Sequence, residues 1–140
     1  MNIFKLACCL PLLTMGMSHA APVLCEGLKL TVNNKSAEEL VVLNVTLTGA
    51  QLNPPGSLQV IPVKGKQIYT AINTSETGLM QGELTVGTSS ALPKKQVTVK
   101  FTLESGATSC EYQLRERVQG GLALTDAKLP GGVEFYVNRP

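Results

Sequence analysis

The sequence is poor in the residues on which enzyme chemistry most often depends. It has no tryptophan, one histidine (His19) and one aspartate (Asp126), and aromatic residues make up only 4% of its 140 positions. His19 falls in a leader expected to be removed, and without imidazole a chain cannot build a Ser-His-Asp or Cys-His pair or a histidine-bearing zinc site. A single aspartate rules out the Asp-rich calcium loop. The motifs G-x-S-x-G, G-x-G-x-x-G, the phosphate-binding loop and Ser-x-x-Lys are absent. There is no Cys-x-x-Cys pair, which argues against a thiol oxidoreductase. Twelve Lys and Arg stand against ten Asp and Glu, a net charge of +2 that gives no reason to expect nucleic acid or an anionic membrane as partner.

What is present begins with an export signal. Asn2 to Lys5 carries one positive charge, Leu6 to Met17 is apolar, and Ser18, His19 and Ala20 form a small-x-small cleavage site. The apolar run is well short of the roughly 20 residues that span a bilayer. Residues 1–20 therefore read as a cleavable signal peptide and 21–140 as one domain. No later stretch reaches spanning length, so no transmembrane segment is expected in the mature chain. Cys8 and Cys9 sit inside the apolar run, and Cys25 follows the bulky Val23 and Leu24, so lipidation is not expected.

Cleavage leaves Cys25 and Cys110, an even pair in an exported chain, and a disulfide between them is expected. In the chain-entropy description, closing so long a loop stabilises the fold by about 4–5 kcal/mol.

The remaining pattern is that of short strands. Val97, Val99, Phe101 and Leu103 alternate with Thr98, Lys100 and Thr102, and Cys110, Tyr112 and Leu114 resume the alternation after a turn containing Gly106. Further strands are read at Leu28–Val32, Leu40–Thr48, Leu58–Val63, Gln67–Ile72, Leu79–Val86 and Val133–Val137. In Leu40–Thr48 the spacing places Val41, Leu43, Val45 and Leu47 on one face. Pro62 demotes the Leu58–Val63 strand to an edge or a bulge. Gly82 interrupts the Leu79–Val86 strand, Gly49–Ser57 reads as a break, and Ser36–Glu39 fits a capping box that could hold one helical turn. The expected fold class is all-β: a single antiparallel β-sandwich, immunoglobulin-like, with about eight strands and one disulfide. A compact barrel is the alternative.

Such an organisation gives no catalytic constellation, and neither a cofactor nor a metal is expected. Glu83, Glu104, Glu111 and Glu134 leave a small carboxylate-dependent hydrolase formally open, but each reads more simply as a solvated outward position. The segment LALTDAKLP, flanked by Gly120-Gly121 and Gly131-Gly132, is the leading candidate for partner contact through Leu122, Leu124 and Leu129, with an extra strand of the sandwich as its plainer reading. Lys94 and Lys95 are a second candidate contact, although turn and edge lysines commonly serve only to block strand-to-strand aggregation. Asn34, Asn44 and Asn73 each begin an Asn-x-Ser/Thr triplet, which matters only in a glycosylating pathway.

At the level of fold class alone, the chain is similar to signal-bearing β-sandwich subunits of bacterial surface and envelope assemblies. The expected function is thus an exported, non-enzymatic binding or assembly protein with a protein partner, periplasmic or extracellular. A secreted effector or inhibitor that docks a host or competitor protein is the alternative.

Overall fold

The computed structural model describes residues 24–56, 58–74, 78–90 and 94–140. The expected leader and its cleavage site lie outside the described residues. Ten strands are described: β1 (Lys29–Asn34), β2 (Leu40–Leu47), β3 (Gln51–Asn53), β4 (Val60–Ile61), β5 (Lys66–Ile72), β6 (Leu79–Thr88), β7 (Gln96–Ser105), β8 (Cys110–Gly120), β9 (Ala123–Leu129) and β10 (Gly132–Asn138). They form two five-stranded sheets, in the orders β9-β10-β1-β5-β3 and β4-β2-β6-β7-β8.

The two sheets lie face to face, as an all-β sandwich requires of strands with one apolar face each. Leu30, Val32, Tyr69, Ala71, Leu124, Val133, Phe135 and Val137 come from the first sheet. Val42, Val45, Leu47, Met80, Leu84, Val86, Val97, Val99, Phe101 and Leu103 meet them from the second, all buried. The rings of Phe101 and Phe135 bridge the sheets with centroids 5.6 Å apart, and Tyr112 closes the trio at 5.7 and 6.2 Å. Cys25 and Cys110 are bonded, with their Cα atoms 4.8 Å apart and a sequence separation of 85. The bond joins the turn that precedes β1 of the first sheet to the start of β8 in the second.

Several sequence expectations are revised. The pairing of β10 with β1 is parallel, Phe135 lying opposite Val32, so the sandwich is mostly and not wholly antiparallel. Ser36–Glu39 makes no helical turn. Ser36 Oγ accepts from Glu38 N at 3.2 Å and donates to Asn34 Oδ1 at 2.7 Å, which turns the chain locally and replaces the helix cap. In β2 a bulge at Leu43 switches the alternation, so that Leu40, Val42, Val45 and Leu47 are inward while Val41 and Leu43 face out. The strand β6 runs through Gly82 without a break. The Phe101 ring lies across that glycine, and a Cβ there would collide with it. Gly49–Ser57 contains the short strand β3, paired with β5, and LALTDAKLP contains β9, paired with β10 over seven positions.

Candidate interaction surface

The surface with most to offer a partner is the edge of the second sheet formed by β4. Its apolar run, Leu58 to Val63, is shortened to two paired residues by its own chemistry. Leu58 and Lys64 adopt φ of 54° and 66°, and Pro62 brings no backbone donor. Ile61 sits opposite Leu40 and Val60 opposite Val41, while Val42 N donates to Gln59 O at 2.9 Å. In an antiparallel ladder alternate residues bond the neighbour, so the N–H and C=O of Val60 point away from β2, along the open edge. Ile61 is fully buried, which turns Val60 and Val41 to the outer face. There Leu58 is 67% exposed, Val60 52% and Leu43 42%. Leu43 owes its position to the β2 bulge and lies over Gly87, whose missing side chain leaves it room.

So short a strand would fray if only its ladder held it, but side chains from the first sheet hold it too. Asn34, the last residue of β1, is 1% exposed. Its Nδ2 donates to Ile61 O at 3.0 Å, Pro62 O at 3.2 Å and Glu38 O at 2.8 Å, and its Oδ1 accepts from Ser36 N and Oγ. Tyr69 OH reaches Gln59 Oε1 at 3.2 Å, and burial pushes the Tyr69 hydroxyl up to about 12. The edge is therefore ordered before anything binds to it, which lowers the entropy cost of docking.

The opposite side of the sandwich is sealed. There β8 of the second sheet passes through Gly120 and Gly121, the latter at φ 94°, into β9 of the first. Tyr112 OH donates to Asp126 Oδ2 at 2.6 Å, and Arg117 Nη1 donates to Leu124 O at 3.0 Å. Burial, reinforced by the hydrogen bond to Asp126 and its charge, holds the Tyr112 hydroxyl well above its ordinary value against the opposing pull of Arg117.

The residues marked by sequence fall in several places. Leu122 and Leu124 are buried in the core, Leu124 opposite Val137, so they present no apolar surface to a partner. Leu124 belongs to β9, which completes the first sheet, and Leu122 directly precedes that strand. Leu129, at the end of β9, is exposed. Lys95 Nζ is bound to Glu38 Oε2 at 2.8 Å, and Lys94 Nζ to Ser89 O at 3.1 Å, so the pair braces the neighbouring turns.

The four glutamates do not converge. Glu83, Glu104 and Glu111 lie on the outer face of the second sheet, Glu104 directly opposite Glu111, whereas Glu134 is on the first sheet and accepts from Asn33 and Tyr136. That hydrogen bond raises the Tyr136 hydroxyl. A shallow groove of about 490 Å³ crosses the second sheet between Thr46, Glu83, Lys100, Thr102 and Arg115. Among the described residues no group of three or more His, Cys, Asp or Glu could hold a metal ion, and no helix is long and apolar enough to cross a membrane.

Sequence reasoning pointed to an edge at Pro62 but not to its apolar dressing. The run Leu58-Gln59-Val60-Ile61-Pro62-Val63 carries apolar residues of both parities, and that is the signal that could have found it. No protein-family model matches the chain, and no match is found among curated proteins.

Proposed function

We propose that the chain is an exported, non-enzymatic binding or assembly protein, a subunit or accessory of a bacterial envelope or surface complex, and that it engages a protein partner along β4. One observation carries the reading: an anchored, open sheet edge bears the exposed Leu58 and Val60 beside Leu43. Open apolar edges favour pairing with another chain, and soluble proteins usually blunt them with charge or proline. Here Pro62, Lys64 and Lys66 cap only one end. A partner donating an extended segment would gain hydrogen bonds from Val60 and bury the apolar side chains on the same face. The Cys25–Cys110 bond supports the exported part of the reading, because disulfides persist in oxidising compartments.

The test is affinity purification from the native host with subcellular fractionation, comparing the wild type with Val60→Lys. Wild type should co-purify a defined partner from envelope or medium, and Val60→Lys should lose it. Equal recovery by both would remove β4 as the contact. The effector alternative leaned on Lys94 and Lys95, and charge reversal at Lys94 that slowed association in a salt-dependent way would favour it instead.

A further inference from the structure

The Asn34 triplet, Asn34-Lys35-Ser36, has the sequence of an asparagine-glycosylation acceptor. Acceptor asparagines that carry a glycan in a folded protein stand at the surface. Asn34 does not: it is 1% exposed, and Ser36 is 6% exposed. The atom a glycan would occupy, Nδ2, donates to the backbone carbonyls of Glu38, Ile61 and Pro62. Transfer of a carrier-linked sugar forms a bond from Nδ2 to the sugar C1, expels the carrier pyrophosphate and removes one amide proton. The product has one N–H where the fold uses two, and a sugar ring where β1, the Ser36 turn and β4 meet. Buried carbonyls left without donors, together with so large a group at a close-packed junction, leave no way to recover the native arrangement.

We infer that glycosylation of Asn34 and folding are mutually exclusive, so that this chain matures in a compartment that forms disulfides but attaches no glycan to asparagine, as bacterial export provides. The compartment half rests on the reading of the chain as exported; the incompatibility half rests on Asn34 alone. Asn73 supplies an internal reference. It is exposed after β5, and its Nδ2 donates to the surface Gln51 Oε1 at 2.8 Å.

The experiment expresses the full chain in a yeast secretory pathway and in a bacterial periplasm. In yeast, glycan occupancy is mapped by the Asn-to-Asp mass change that enzymatic deglycosylation leaves, separately for secreted and retained molecules. Chains modified at Asn34 should be at least about tenfold depleted from the secreted, disulfide-bonded pool, while Asn73 occupancy shows no such bias. Ser36→Ala removes the acceptor but also the Ser36 hydroxyl bonds, so its effect should change sign with the host: higher secreted yield in yeast, lower yield in the periplasm. Ser36→Thr keeps a hydroxyl and the triplet, and should not raise the yeast yield. Folded, secreted chains bearing a glycan on Asn34 would overturn the inference. So would a Ser36→Thr chain that takes no glycan at Asn34 in either pool. Fractionation placing the chain in the cytosol of its native host would defeat the export reading and leave the incompatibility standing.

Discussion

The two long sides of the sandwich are closed in different ways. On the β8–β9 side the chain itself crosses between the sheets, and Tyr112, Asp126, Arg117 and the carbonyl of Leu124 tie them together. On the β4 side the chain crosses too, from β3 to β4 and from β4 to β5, and there the side chains of Asn34 and Tyr69 reach from the first sheet to a two-residue strand of the second. The sealed side places an inward-facing carboxylate, Asp126, on its edge strand, which discourages further pairing. The other side presents Leu58, Val60 and Leu43 together, where the β8–β9 side exposes Val118 and Leu129 on separate strands. Both sides exclude water from the same core, so stability alone does not account for the contrast. An edge braced from behind and apolar in front is arranged for an incoming strand.

The largest effect that could break this comparison is loss of the bond holding the sheets together irrespective of side. The double variant Cys25→Ala/Cys110→Ala should lose about 3–5 kcal/mol in urea unfolding, because the bond closes a separation of 85 residues. If the loss were under about 1 kcal/mol, the side-chain crossings would have to carry the junction alone.

Next comes Asn34→Ala, which leaves the carbonyls of Glu38, Ile61 and Pro62 and the N–H of Ser36 without this partner. A cost of about 2–4 kcal/mol is expected. The accompanying structural signature should be local: amide exchange at Val42, which donates to Gln59 O, should accelerate more than exchange in β7. A uniform rise across both sheets would show that β4 is no separate unit.

How much of this was legible follows from what alternation encodes. Period-2 patterns say which face a residue takes, so Val97–Leu103 and the inward Tyr112 were readable, while the Cys25–Cys110 pair followed from the even number of cysteines left after the leader. They do not say which strand is the neighbour, and the parallel meeting of β1 with β10, from opposite ends of the chain, left no local mark. Leu43 was assigned inward because a bulge shifts parity without changing composition. Leu122 and Leu124 looked available because glycines flank them, whereas both side chains turn into the core where the chain enters β9 and pairs with β10. The Asn34 junction was invisible for a related reason: its five contacts span the Ser36 turn and β4, and the triplet suggests a surface loop.

On the sealed side, Tyr112→Phe removes the hydroxyl that bonds Asp126 and should cost about 1–2 kcal/mol near neutral pH. The pH dependence sharpens the contrast. The Tyr112 hydroxyl is raised above its unfolded value of about 10. Its stabilising contribution is therefore complete below pH ~10 and is lost as pH rises from there toward the folded value. Tyr69, pushed up to about 12, adds the same sign on the open side, with its loss spread between pH ~10 and ~12. Wild type should thus weaken steeply in alkali, and Tyr112→Phe should weaken less steeply while starting lower. Parallel pH profiles for the two proteins would mean that Tyr112 is not titrating in the buried seam.

The smallest expected effect on stability is at Val60, and there smallness is the point. Its side chain is about half exposed and its backbone polar groups face the open edge, so Val60→Lys removes little burial and breaks no ladder bond. Unfolding should shift by no more than about 0.5 kcal/mol. The lysine would place charge where an incoming strand has to lie, which is how natural edges repel one another. A variant as stable as the wild type that fails to hold its partner separates the role of β4 in binding from any role in folding. A loss of 2 kcal/mol or more, roughly the cost of a disrupted core site, would instead make Val60 structural and return the β4 edge to the same class as the sealed side.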